Sequence, residues 1–376
     1  MSESIMLFGL GGLGFQILNF LARTPGVTRI IAADVDEVKG KARTDIVTYG
    51  ALMEGFYPDI EFRKVDLFDI DATAELLEEI QPAVICNAAS LAAWWIPGTL
   101  PKEMEALIYE AGAPFDTACY VVLIYKLMQA LKKSGVKSHV VNCAYPDVTN
   151  VMLGKVGLAP TIGGGNAQNR IPRLKKIVSE KLGVPMCNVE VYLVGHHAWT
   201  DRVTSAPVWI KILAEGEDIS NKIPKDELLK ELERIDKQRY DPFKGIEVRY
   251  HQQDIASAFA FNVLSIYFNT GAVTSAPGPY PGLPGAYPVR LSREGAKVVL
   301  PSEISLEEAI RINEEAAKLE GIKEIKEDST LVPTESAKEA LRKLGVPWEE
   351  GYKVSECEEI AKEVLAFLKE KGARWE

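Results

Sequence analysis

Histidine is scarce in this chain of 376 residues: there are four, and two of them, His196 and His197, are adjacent. The five cysteines (Cys86, Cys119, Cys143, Cys187 and Cys357) are scattered, odd in number and free of any Cys-x-x-Cys pair. Such usage argues against a disulfide framework and reads as reduced thiols in a cytoplasm. There is no long lysine/arginine run and no basic stripe, and the formal net charge is −10, so no nucleic-acid partner is expected. No apolar run reaches the roughly 18 residues that span a bilayer, so no membrane partner is expected either. The first residues lack a charged segment followed by a cleavable apolar one. Repeats and low-complexity tracts are absent. With 47% hydrophobic and 26% charged residues, the composition is that of a soluble globular protein, long enough for one large domain or two ordinary ones.

What is present is concentrated at the beginning. An apolar stretch ending at Phe8 runs into Gly9-Leu-Gly11-Gly12-Leu13-Gly14, then an apolar helical run from Phe15 to Leu21. A second apolar stretch, Thr28 to Ala33, ends at Asp34, 25 residues after Gly9. This is a strand, a glycine turn, a helix, a strand and an acid. Gly9 permits the tight turn, Gly11 clears the approach of a pyrophosphate, and Gly14 lets the helix pack on the strand. The helix start offers N–H groups and partial positive charge to phosphates, and Asp34 can accept from an adenosine ribose. The pattern therefore predicts a dinucleotide site. Asp34 favours NAD over NADP because a carboxylate repels a 2′-phosphate, while Lys39, Lys41 and Arg43 leave NADP open.

Strand and helix continue to alternate through the first ~90 residues, as in an open parallel sheet. Helix is expected over 38–56, strand over 60–65, a helix capped by Asp71 through Ile80, and a strand over 83–86 followed by Asn87-Ala88-Ala89. Gly9, Asp34, Asp66 and Asn87, with Ala88 beside it, all fall at strand carboxyl ends, where such sheets bind ligands; the plain alternative for Asp66 and Asn87 is turn chemistry. Trp94 and Trp95 lie in a Pro/Gly loop after the fourth strand, as a lid or substrate wall, or as a packing or oligomer contact. A helix over 115–132 and a strand over 137–143 follow. Beyond residue 150, a glycine loop at 161–166 opens a helix over 170–182, and a strand over 189–194 ends in Gly195-His196-His197. A charged helix (225–239) and an apolar one (255–268) come next. The Pro/Gly-rich stretch 271–288 is expected to be irregular, a cover or linker. Ser305 and Glu308 form a capping box for a helix to Leu319, and two more helices follow over 335–344 and 356–371. The fold class expected is α/β: a Rossmann-type doubly wound parallel sheet over residues 1–150, then an α+β catalytic domain over 151–376 with a helical extension from about 321.

His197 and His196, at a strand end, can exchange protons near neutral pH, as oxidation of a hydroxyl requires. Arg170 and Arg173 can grip a substrate carboxylate with a planar fork, or can lie on a solvated helix face. Asn142 and Tyr145 can hydrogen-bond substrate or nicotinamide. His139 is expected to be structural, and His251 has no assigned role.

The stretch Val140-Val-Asn142…Pro146-Asp147-Val-Thr149, then Ile162-Gly163-Gly-Gly165-Asn166…Arg170…Arg173…Leu182-Gly-Val184, then Val194-Gly195-His196-His197 resembles the lactate/malate dehydrogenase superfamily, which also contains NAD-dependent glycosidases. The resemblance covers about residues 1–199, and more loosely to 319. It implies that His197 is the general acid/base and Arg173 the carboxylate binder. It places the acid that pairs with the histidine at Asn169 or Arg170, and neither is acidic. A loop arginine implied after the fourth strand is also missing: residues 89–101 hold no basic residue. The glycosidase branch implies a metal-binding cysteine near the glycine loop, and residues 161–170 hold none, so no metal is expected. Val65-Asp66-Leu-Phe-Asp69 and Val84-Ile-Cys-Asn87-Ala-Ala89 resemble saccharopine-dehydrogenase-type proteins. They also occur in extended short-chain dehydrogenases, whose Tyr-x-x-x-Lys has its only match at Tyr240–Lys244, too far downstream.

These observations predict an NAD(P)-dependent oxidoreductase acting on a small carboxylate-bearing alcohol or amine, as a homodimer or higher homo-oligomer. The alternatives are an enzyme using NAD as a redox catalyst in a net non-redox reaction, and a non-catalytic nucleotide sensor.

Overall fold

The computed structural model describes residues 3–200, 205–240 and 252–375. His251, and Lys244 of the Tyr-x-x-x-Lys pair, lie outside the described residues. The first part alternates as its apolar periodicity requires: β1 (Ile5–Phe8), α1 (Gly12–Ala22), β2 (Arg29–Asp34), α2 (Glu37–Met53), β3 (Asp59–Lys64), α3 (Ile70–Ile80), β4 (Val84–Asn87), α4 (Lys102–Ala111), α5 (Ala113–Ser134), β5 (His139–Asn142), α6 (Pro146–Lys155) and β6 (Ile162–Gly163). The six strands pair in parallel in the order β3-β2-β1-β4-β5-β6. β1 and β4 are buried at every residue, because helices cover both faces of the sheet. The strand order reverses between β1 and β4, so their carboxyl ends open a crevice. The sheet's last strand, β6, lies beyond residue 150.

Local chemistry sets the helix starts. Asp36 caps α2 by accepting from Lys39 N at 2.9 Å. The cap of α3 is Asp69, which accepts from Ala72 N at 3.0 Å, and not Asp71, which falls in the first turn. Both carboxylates still suit the helix N-terminus, one by hydrogen bonding and one by charge. No single helix among the described residues is long and apolar enough to cross a membrane.

The second sheet is antiparallel. It follows α7 (Ile171–Leu182) and uses β7 (Val189–Gly195), β8 (Val208–Ala214) and β9 (Glu217–Asp218), then, after α8 (Lys225–Tyr240) and α9 (Gln253–Tyr267), β10 (Val273–Pro277), β11 (Ala286–Ser292) and β12 (Gly295–Val298). Its order is β10-β11-β7-β8-β9, with β12 on β11. The stretch 271–288 is therefore not irregular, as its composition suggested. β10 and β11 form a hairpin across it. Pro277 ends a strand, and Pro288 engages through its carbonyl, which accepts from Val299 N at 2.8 Å. Ser305 accepts from Glu308 N at 3.1 Å and starts α10 (Leu306–Ala317).

The remaining chain forms a two-stranded hairpin, β13 (Ile322–Ile325) and β14 (Leu331–Pro333), then α11 (Glu335–Leu344) and α12 (Cys357–Glu370). α11 packs on α4 and α12 on α5, within the core that lines one face of the parallel sheet. Phe115 is central to this contact, with ring centroids 6.3 Å from Trp348 and 5.6 Å from Phe367. Phe115→Ala should lower the unfolding free energy in urea by about 3–5 kcal/mol, the cost of deleting a buried aromatic ring. A loss under about 1 kcal/mol would show that the C-terminal helices add little to the core.

Candidate active site

The crevice begins at the glycine turn. Gly9 has φ +87°, and a Cβ there would meet Ala89 N at 2.5 Å; one on Gly14 would lie 1.8 Å from the Gly9 carbonyl. Both glycines are required by backbone packing. Gly11 is different: a Cβ on it would meet nothing within 4 Å, so the turn faces open space there. Gly12 and Leu13 begin α1, which no side chain caps, so its leading N–H groups face that space. At the end of β2, Asp34 accepts from Leu10 N at 2.6 Å and from Asp36 N at 2.9 Å, which holds its carboxylate at the turn. Arg43 donates to the Leu10 carbonyl on the same edge. Asp66 accepts from Phe68 N at 3.0 Å, the turn chemistry of an exposed aspartate. Ala88 N donates to the Phe8 carbonyl at 2.7 Å and ties the β4 exit to β1. Asn87 is fully buried, and its Oδ1 has no partner. An open approach at Gly11, uncapped N–H groups and an orphaned amide oxygen together fit a dinucleotide.

Asn142 is a wall member. Its Nδ2 donates to Asn150 Oδ1 at 2.9 Å and Thr149 Oγ1 at 3.0 Å, and its Oδ1 accepts from Asn87 Nδ2 at 3.1 Å and Ala144 N at 3.1 Å. Asn150 passes the connection to the Gly278 carbonyl at 2.9 Å. The expected contact of Asn142 with substrate gives way to this buried network, which joins β4, β5, α6 and the β10–β11 turn.

His196 and His197 stand at the end of β7, the first buried and the second half-buried. His197 N donates to Asp147 Oδ1 at 2.9 Å, and Asn166 Nδ2 donates to the other oxygen of Asp147. Burial pushes the Asp147 carboxyl up, against the pull of both imidazoles and Asn166. The acid absent from 169–170 comes from the far end of the chain. Glu320, in the single turn 318–320 after α10, lies against both histidines: Oε1 contacts His197 Nδ1, and Oε2 is 3.1 Å from His196 Nδ1. Tyr145 donates its hydroxyl to Oε2 at 2.7 Å, with its ring edge-on to His197 at 5.1 Å. Burial alone would raise the Glu320 carboxyl, but His197 and the hydrogen bonds from both imidazoles outweigh it and hold it well below the ordinary carboxylate range. An ionised Glu320 only accepts, so His197 Nδ1 carries the proton between them, which leaves Nε2 as the His197 atom that can exchange one; His196 Nδ1 accepts from Ala198 N at 3.3 Å. Nearby on α5, Asp116 accepts from Tyr120 at 3.1 Å; burial raises its carboxyl to about 7.

The arginines are engaged elsewhere. Arg170, buried, pairs with Asp236 of α8 at 2.8 Å, donates to the Thr200 carbonyl and lies over the Trp199 ring at 5.2 Å. Arg173 bridges Asp236 and Asp254, each at 2.9 Å. Both guanidiniums thus meet carboxylates of the protein itself, which displaces the expected substrate clamp. Asn169 and Arg173 line a groove between α7, β7, α9 and β10. Trp94 is exposed, Trp95 packs on the core, and His139 bonds the Arg293 carbonyl at 2.8 Å. No group of three metal-ligating side chains occurs among the described residues.

Sequence reasoning missed Glu320. It lies 123 residues from His197 in no motif. Its one signal is an acid at a helix C-terminus, where the dipole disfavours it.

No family model matches the chain, and no curated protein matches it. Solved structures do. The malate dehydrogenase of Picrophilus torridus in its apo form is 16% identical, covers 97% of this chain and 98% of its own, and has a TM-score of 0.59. A lactate dehydrogenase from a Medee basin deep-sea metagenome library is 14% identical over 85% of this chain and 96% of its own, with a TM-score of 0.60. The Cryptosporidium parvum lactate dehydrogenase, complexed with lactic acid and nicotinamide adenine dinucleotide, is 17% identical over 85% of this chain and 96% of its own, with a TM-score of 0.57. The chain has the lactate/malate dehydrogenase fold.

Because Glu320 is held below its ordinary value of 4.5, its ionised form adds stability above that pH, and the stability is lost as pH falls through the folded value. Glu320→Gln should therefore cost about 3–5 kcal/mol near neutrality, the penalty of breaking a buried pair. The deficit should shrink steadily below pH 4.5. A deficit independent of pH in urea titrations would refute the ion pair.

Proposed function

We propose that the chain is an NAD-dependent oxidoreductase acting on a small alcohol or amine, with His197 as proton carrier. The observation that carries this reading is the buried Glu320 carboxylate on His197 Nδ1, beside a turn that leaves the carboxyl end of β5. Gly11, the start of α1, Asp34 and Asn87 would hold the cofactor, which when bound supplies the hydride acceptor. His197 Nε2 takes the proton from the substrate hydroxyl or amine, and Glu320 stabilises the imidazolium that results. Asp147 fixes the His197 backbone, which sets where Nε2 points. A carboxylate on the substrate is no part of the support, since Arg170 and Arg173 are already paired.

His197→Ala, assayed with a panel of small hydroxy and amino acids including lactate and malate, should lower kcat roughly a hundred- to ten-thousand-fold. It should leave NAD binding intact and tighter than NADP binding. Undiminished turnover would sink the role of His197. Cofactor that stays bound through turnover with no net change in nicotinamide absorbance would favour a net non-redox reaction. Binding without turnover of any substrate would favour a sensor.

The chain is also proposed to pair as a two-fold homodimer. α2 exposes an apolar stripe of Val38, Ile46, Tyr49 and Met53, the last 89% exposed. The groove between α7 and α9, about 810 Å³, offers Ile171, Val191, Phe261 and Val273. α2 and α9 both pack on α1, and in a two-fold pair the stripe of one copy would meet the groove of the other, and the reverse. Ile46→Asp should convert a dimer to a monomer in sedimentation velocity; a monomeric wild type would overturn the pairing.

A further inference from the structure

Tyr145 takes no part in the proton transfer, yet the fold goes out of its way to place it. Its backbone is left-handed, φ 49° and ψ 57°, a region that residues with bulky side chains rarely enter. The turn is clamped around it. Tyr145 N donates to the Cys143 carbonyl at 3.2 Å, Ala144 N is held by Asn142 Oδ1 at 3.1 Å, and Pro146 opens α6 directly behind. This geometry aims the phenol at Glu320 Oε2, 2.7 Å away, and lays the ring edge against His197 on one side and Tyr120 on the other, 5.1 and 6.1 Å between centroids.

We propose that Tyr145 is a positioning residue that acts through Glu320, holding the carboxylate in the plane that serves His197 and setting how strongly it draws the imidazole proton. This deepens, and rests on, the reading of His197 as proton carrier. The groups facing the pair are His196 at the end of β7, Asp147 in the first turn of α6, and Asp116 with Tyr120 on α5. Of these, His196 and Tyr145 share one oxygen of Glu320, while His197 has the other. A phenol donating to Oε2 spreads the carboxylate's negative charge away from Oε1. Removing that donor concentrates charge on the remaining partners, which favours the protonated imidazole.

Tyr145→Phe keeps the ring and deletes only the donor. Nitrogen NMR of the full-length chain, with the His197 signal identified by its loss in His197→Ala, should show the His197 titration midpoint rise by about half to one pH unit. Turnover should fall through kcat, with KM and the NAD dissociation constant unchanged. An unmoved midpoint would overturn the proposal. So would a raised KM with kcat and midpoint unchanged, which would make Tyr145 a substrate contact. The titration needs no substrate, so it reports on Tyr145 even if His197→Ala proves fully active.

Discussion

A carboxylate removed from water must be surrounded by donors or lose its charge, and Glu320 is surrounded. Two imidazoles and one phenol converge on its two oxygens. Each donor comes from a different part of the chain: the histidines from the end of the antiparallel strand β7, the tyrosine from the turn after the parallel strand β5, and the acid itself from the turn after α10. Removing any partner leaves a buried charge short of a hydrogen bond, so the site and the docking of the two sheets are one problem in electrostatics.

The crevice at β1 and β4 obeys a different constraint, close backbone approach. Gly9 and Gly14 have no room for a side chain, whereas Gly11 has room and leaves it to whatever approaches the turn. Behind them the amide chain Asn87–Asn142–Asn150 crosses from β4 to β5 to α6, fully buried, and satisfies all but one of the polar atoms that could unsettle the strand ends. The exception, Asn87 Oδ1, lies at the carboxyl end of β4, where the crevice opens. Rigid walls with one unmet acceptor suit a ligand that brings donors.

What the amino-acid sequence disclosed follows from how local each signal is. The alternation of strand and helix, the glycine turn and Asp34 are short-range patterns, and the parallel sheet matches them closely. The stretch 271–288 was misread because proline and glycine counts say nothing about which side of a strand hydrogen-bonds. The α3 cap was misplaced by two residues because Asp69 and Asp71 both suit a helix start. Arg170 and Arg173 looked available because their carboxylates, Asp236 and Asp254, belong to later helices. Glu320 was invisible for the same reason on a longer scale. A pairing across 123 positions leaves no periodicity, and only its poor fit to a helix end hinted at another task.

The break between α4 and α5 has a mechanical meaning. Gly112 lies so close to the Glu320 carbonyl that an added methyl would sit 2.3 Å from it, and one added to Gly321 would sit 2.8 Å from the Ala111 carbonyl. The joint has no clearance. α4 runs from the loop that carries Trp94 and Trp95 to this joint, so the packing of Gly112 on Glu320 ties the end of that helix to the Glu320 backbone. Such a linkage works by contact rather than by charge. Ionic strength would leave it untouched, and a single methyl group would jam it.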